Sequence, residues 1–192
     1  MSGDGGRRLL LHMSVSLDGF AAHRDHSLDW LTPEDGPDHG DQRHRINLEL
    51  LSQVGLIVLG RGAFEQMSQA WSVSDSPMAQ LMNSLPKLVF AQSLDVEWSN
   101  SELARRPLAE EIAARKAEGG KDMVMFGGPS LANSLIRERL VDEYRLNVHT
   151  VALGDGLPLM HGLPEPQRFE MVSNTVYADG SSAQVLRPLA ER

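Results

Sequence analysis

Four short apolar runs, each leading into a helical pattern or a turn, constrain this chain most: RLLLHMSVS (8–16), GLIVLG (55–60), KLVFAQ (87–92) and DMVMFGG (122–128). Runs this apolar suit strands covered on both faces, the arrangement of a parallel sheet between helical layers. Three helices are expected between and after them. Ile46, Leu50, Leu51 and Val54 share one face that stops near Gly55. Pro107 opens a helix carrying Leu108 and Ile112, with Gly119-Gly120 as its stop. Pro129 opens another, on which Leu131, Leu135, Ile136 and Leu140 form one stripe. A further helical turn is expected after Arg61.

The last third reads differently. In YRLNVHTV, Tyr144, Leu146, Val148 and Thr150 alternate with Arg145, Asn147, His149 and Val151, the pattern of a half-buried strand. RFEMVSNTVYADGSSAQVLRP reads as two strands joined at Asp179-Gly180, a favourable hairpin turn. The fold class expected is therefore α/β: a mixed, mostly parallel sheet flanked by helices and finished by an antiparallel hairpin. No repeat or linker divides the chain, so residues 8–190 are expected to form a single domain, with 1–7 as a frayed tail.

The totals narrow the function. A net charge of −8 argues against nonspecific binding to nucleic acid or to an anionic membrane. The absence of cysteine excludes disulfides and thiolate metal sites and fits a reducing compartment. No run approaches the roughly 20 apolar residues of a membrane span, and the N-terminus lacks a signal-peptide pattern. A cytoplasmic location is expected.

Gly127-Gly128 falls where an expected strand gives way to a helix opened by Pro129 and Ser130. One reading is a tight turn with no ligand. The other is an anion cradle, because a helix N-terminus offers unpaired N–H donors and two missing Cβ atoms let a diphosphate approach the main chain. Two further strand ends offer partners. Gly60 is followed by Arg61, which reads either as a phosphate ligand or as a surface arginine in a salt bridge. Gln92 is followed by Ser93, a turn hydroxyl if it has no ligand.

FGGPSLANSLIRERLVDEYRLNVHTVALGDGLPLM, SVSLDGFAA (14–22) and LGRGAFE resemble segments of the dihydrofolate reductase-like superfamily, specifically the reductase-domain group of riboflavin biosynthesis. The resemblance covers nearly the whole chain. It implies a dihydrofolate reductase-like fold, a homodimer, and a reductase that uses NADPH on a small heteroaromatic substrate. It places Gly127, Gly128, Pro129, Ser130 and Leu131 around the pyrophosphate, and Gly60, Arg61 and Gly62 at the adenosine phosphates. Ser93 would lie near the 2′-phosphate, with Ser14 and Ala21 lining the nicotinamide through backbone groups. The chain departs from the pattern at Ala63, where dihydrofolate reductases usually carry a threonine, and it has no deaminase zinc motif. It is identified as a stand-alone member of the group.

Hydride transfer needs a matching proton. Trp30, Pro33 and Asp35 reproduce the spacing of the tryptophan, proline and acidic substrate-binding residue of dihydrofolate reductases, so Asp35 is the candidate proton donor. Thr32, Pro33 and Asp35 also read as a capped helix start. Met13, Asp18 and Trp30 are the candidate substrate contacts, although Asp18 also reads as a cap on the turn at Gly19. His23, His26, His39 and His44, with Asp25, Asp29, Asp38 and Asp41, read as a solvated lid-like loop rather than a metal site. The competing function is a nucleotide-binding or regulatory dimer that keeps the cradle but does not turn over. A third reading, a structural dimer module, would bind no dinucleotide.

Overall fold

A computed structural model describes residues 6–31, 37–93 and 97–190, with residues 37–44 described by backbone alone. The expected runs become strands β1 (Leu9–Ser16), β3 (Leu56–Gly60), β4 (Lys87–Phe90) and β6 (Met123–Phe126), joined by a short β2 (Phe20–Ala22) and β5 (Ser101–Leu103). The later strands are β7 (Glu143–His149), β8 (Leu157–Pro158), β9 (Phe169–Val176) and β10 (Ser182–Pro188). One eight-stranded sheet runs β5-β4-β3-β6-β1-β7-β10-β9, and β2 pairs with β8 in a separate antiparallel ribbon. Six strands, from β5 across to β7, are parallel; β10 and β9 close the sheet as an antiparallel hairpin.

The helices are α1 (Pro37–Gln53), α2 (Arg61–Trp71), α3 (Pro77–Ser84), α4 (Leu108–Ala117) and α5 (Pro129–Arg137). They divide between the two faces. Leu50, Leu51 and Val54 of α1, Ala63 and Phe64 of α2, and Met78 and Met82 of α3 join Leu10, Ile57 and Val124 in one core. Ile112 of α4 and Ala132, Leu135 and Ile136 of α5 join Leu9, Leu11, Val58 and Tyr144 in the other. Strand alternation alone produces this split, since neighbouring residues of one strand point to opposite faces.

Positions 38, 39, 41 and 44, expected in a lid-like loop, fall within helix α1 (Pro37–Gln53). Three other details depart from the expected pattern. Helix α5 stops at Arg137, and Leu140 reaches the core stripe from outside it. Arg139 adopts φ 55°, while the Arg139 and Leu140 N–H groups donate to the carbonyls of Ile136 and Leu135 at 3.0 and 2.9 Å. That is a Schellman stop with arginine in the place usually held by glycine. In the terminal hairpin, Gly180 alone takes positive φ (83°) and Asp179 does not, so the connection is a type I turn with a glycine bulge rather than a two-residue turn. Finally, Arg7 is not frayed: its N–H donates to the Lys116 carbonyl at 3.1 Å and its Nε to the Lys121 carbonyl at 2.8 Å.

Candidate active site

Adjacent strands β3 and β6 send their following helices to opposite faces, α2 to one and α5 to the other. Such a divergence opens a crevice beyond the carboxyl ends of the strands, where ligands of open α/β sheets gather. Both helices begin without a side-chain cap. Gly60 precedes α2 in an extended conformation, and Gly128 precedes α5 at φ 68°, ψ 80°. The first-turn N–H groups of two helices thus converge on one corner with their partial positive charge.

Gly127 and Gly128 both have left-handed φ, 60° and 68°, a conformation that disfavours any side chain. A Cβ at Gly127 would stand 3.3 Å from the Met67 methyl, and one at Gly128 3.5 Å from the Ala63 methyl. The pair therefore lets the β6 turn lie against α2. Gly60 does the same toward α5, since its Cβ would stand 3.4 Å from that of Leu131. Gly62 differs: a Cβ there meets nothing within 4 Å, so that side of the corner is open. Ser130 is exposed, Pro129 is half-buried, and Arg61 reaches Glu65 one turn on, Nε to Oε1 at 2.7 Å. Ser93 lies exposed beyond β4.

Next to this corner the sheet carries a polar surface. Leu9, Leu11 and Met13 lie in the core of α4 and α5, which leaves Leu10, His12, Ser14 and Ser16 on the α1 face. Their β7 neighbours are Glu143, Arg145, Asn147 and His149, in register with Leu10, His12, Ser14 and Ser16 respectively. An interior strand pair thus presents six polar side chains from the His12–Arg145 pair outward. The His149 Nε2 lies 3.2 Å from Ser14 Oγ, and the Trp30 ring meets the His149 ring edge-on at 5.4 Å. At the inner end His12 packs edge-on against Phe126, with centroids 5.2 Å apart.

The charges here are fixed by their neighbours. Burial first, then the charge of Arg145, pushes the His12 imidazole down to about 4, against a hydrogen bond to the Asn47 side chain. Its Nδ1 is buried with no hydrogen-bond partner. Burial pushes the Glu143 carboxyl up. Hydrogen bonds from Arg187 and Arg145, with the charges of Arg145 and Arg8, outweigh that and hold it below the usual carboxylate range. Arg145 is thereby held by Glu143, Nε to Oε1 at 2.9 Å.

Asp18 is a clamp. It accepts from Ser16 Oγ at 2.6 Å and from the N–H groups of Leu153 and Gly154 at 3.1 and 2.7 Å. The Ser16 hydroxyl foremost, then those main-chain donors, hold it down to about 2.

Of the residues expected from the sequence, the structure brings Gly60, Arg61, Gly62, Gly127, Gly128, Pro129, Ser130 and Leu131 to one corner, with Ser14 and Trp30 beside the polar surface. Met13 is not among them. It is 5% exposed and faces the opposite core, on the far side of β1 from Ser14. Ala21 is likewise buried in that core, in the ribbon strand β2. Asp35 lies outside the described residues. No sequence motif marks His12, Phe126, Asn147 or His149 as a site residue. The alternation of β7 displays Asn147 and His149, but only its place between β1 and β10 shows that their face is interior.

The model of the RibD C-terminal domain matches residues 7–184. The chain belongs to the RibD C-terminal domain family. YyaP, an uncharacterized protein of Bacillus subtilis (strain 168), is 30% identical over 179 residues, 91% of each chain. Among solved structures, a protein of Shewanella sp. PV-4 assigned to riboflavin biosynthesis superposes with a TM-score of 0.76 at 24% identity, covering 95% of this chain and 99% of that one. The diaminohydroxyphosphoribosylaminopyrimidine deaminase/5-amino-6-(5-phosphoribosylamino)uracil reductase of Thermotoga maritima gives 0.67 at 16% identity, over 96% of this chain and 57% of its own. Dihydrofolate reductase of Enterococcus faecalis, complexed with NADP(H), gives 0.60 at 15%, over 94% and 96%. The fold of this RibD-type domain is dihydrofolate reductase-like. Among its described residues no helix is long and apolar enough to cross a membrane.

Proposed function

We propose that this protein is an NADPH-dependent reductase that transfers hydride to a small, flat heteroaromatic substrate of the pterin or pyrimidine kind. The observation that carries this reading is the corner where two uncapped helix N-termini converge beside a polar, aromatic-edged surface. The residues fit the cofactor. Gly60, Gly127 and Gly128 let the two helix starts pack together, and Gly62 leaves its side of the first-turn N–H donors uncovered, as a diphosphate requires. Gly127, Gly128, Pro129, Ser130 and Leu131 would hold the pyrophosphate, Gly60, Arg61 and Gly62 the adenosine phosphates, and Ser93 the 2′-phosphate. Ser14 and the backbone of Ala21 would border the nicotinamide. When bound, the nicotinamide supplies the hydride. The chain itself binds, orients and excludes water, with Trp30 walling the substrate side and Asp35 or another acid supplying a proton.

The reading includes a homodimer in the cytoplasm. Strand β9 forms an outer edge of the sheet with Met171, Val172 and Val176 exposed, an edge that pairing would cover. Nucleic acid and membrane are not partners in it. One observation favours a binding protein without turnover: Ala63 presents a methyl where related reductases place a hydroxyl.

Titration with NADPH and NADH tests the reading. Loss of NADPH affinity in Arg61→Ala, with NADH little changed, assigns Arg61 to the 2′-phosphate. NADPH oxidation in the presence of a pterin or pyrimidine separates the enzyme from the binding protein. Failure of the wild type to bind either dinucleotide removes both.

A further inference from the structure

We propose that His149 and Ser14 form the proton relay of this site, with the imidazole recharging a serine hydroxyl that faces the substrate. The inference rests on the reductase reading and names the proton source that reading needs. The two residues sit on adjacent strands at the open end of the polar surface, Nε2 to Oγ at 3.2 Å. Both are half-buried, and the Trp30 ring edges the imidazole. Hydrogen bonding between a hydroxyl and an imidazole is the arrangement by which a serine passes on protons it cannot itself hold.

The other described ionisable groups on this surface are committed elsewhere. Asp18, at the exit of β1, is held as an anion by Ser16, Leu153 and Gly154. Glu143, on the same strand as His149, is ringed by Arg8, Arg145 and Arg187. His12 stays neutral and is almost closed to solvent. Asp29, beside Trp30, pairs with His23 at 3.1 Å. On the hairpin side Asp179 accepts from Ser181, and from α1 the nearest described charges are Arg45 and Glu49, both exposed. Imidazole is the side chain that ordinarily exchanges protons near neutral pH.

A reduced nicotinamide, when bound, would supply hydride to the carbon of a C=N bond, whose electron pair would move onto nitrogen. The Ser14 hydroxyl proton goes to that nitrogen while the His149 Nε2 proton moves to Ser14 Oγ. Solvent reprotonates the imidazole.

The oxidised nicotinamide carries a positive charge that the reduced ring lacks, so the two forms act differently on a nearby imidazolium. Histidine-ring NMR titrations with NADP⁺ and with NADPH read this directly. NADP⁺ is expected to lower the His149 midpoint by at least about half a pH unit, while NADPH leaves it in place. By linkage, NADP⁺ affinity should rise with pH through that midpoint in the wild type and lose this dependence in His149→Gln. Oxidation of NADPH with 7,8-dihydropterin, where the wild type supports it, should fall about 100-fold or more in His149→Gln and in Ser14→Ala, and no further in the double variant. A midpoint indifferent to NADP⁺, or an unchanged affinity profile in His149→Gln, overturns the relay and leaves the reductase reading standing. A wild type that binds neither NADP⁺ nor NADPH overturns both.

Discussion

His12 should make this protein sensitive to mild acid, by an amount its surroundings set. The imidazole is 8% exposed, its Nδ1 has no partner, and Arg145 occupies the neighbouring position on β7. Protonation would place a second cation there without a carboxylate of its own, since Glu143 is taken by three arginines. The folded-state value is pushed down to about 4, from an ordinary 6.5. Between those values the unfolded chain binds more protons than the folded one, so stability rises with pH across the window and is lost as pH falls through it. A gap of this size corresponds to about 3 kcal/mol when fully expressed, and to about 2 kcal/mol between pH 7 and pH 5. Urea unfolding at the two pH values measures it. His12→Leu, of similar volume and unable to titrate, should lose about 2 kcal/mol less than the wild type over the same interval, because the other groups titrate alike in both. Equal losses would refute the argument.

Two further outcomes follow from local geometry. Gly128→Ala forces a Cβ into left-handed backbone at φ 68° and should lower stability by about 1–2 kcal/mol in urea unfolding; no loss would mean the turn relaxes freely. Lys87 is fully buried, with Nζ donating to the carbonyls of Leu85 and Ser99 at 2.8 Å and lying 4.5 Å from the centre of the Trp98 ring. Burial lowers it to about 8 from 10.5. The unfolded chain again binds more protons between those values, so the wild type should gain up to about 2 kcal/mol from pH 7.5 to 9.5 relative to Lys87→Met. Parallel profiles for the two proteins would contradict that.

The central strands were legible because burial on both faces leaves an apolar run that needs no knowledge of neighbours. Gly127-Gly128 and Pro129 were legible for a similar reason, since backbone chemistry writes strand-to-helix turns into single residues. Helix α3 was missed although Ser76 caps it, its side chain accepting the Ala79 N–H, and Pro77 opens it; eight residues give the periodicity little room. Strand β5, Ser101–Leu103, is three residues at an edge, and only its pairing with β4 defines it. The polar surface was hidden differently. His12, Ser14 and Ser16 become a polar surface only beside Arg145, Asn147 and His149, and that register is a long-range fact. Met13 shows the converse: one step of alternation sends it to the core of α4 and α5 while Ser14 takes the α1 face.

Dinucleotide binding would depend most on the open corner at the start of α2 and α5. Gly62 isolates that corner, because a Cβ there meets nothing within 4 Å beyond its own helix turn and valine is no worse than glycine within a helix. NADPH binding, followed by fluorescence titration of the wild type and Gly62→Val at matched urea midpoints, is the direct measurement. The expected result is wild-type binding that weakens by about tenfold or more in the variant, a loss of about 1.4 kcal/mol, with stability unchanged. Equal affinity in the two proteins would contradict the cradle.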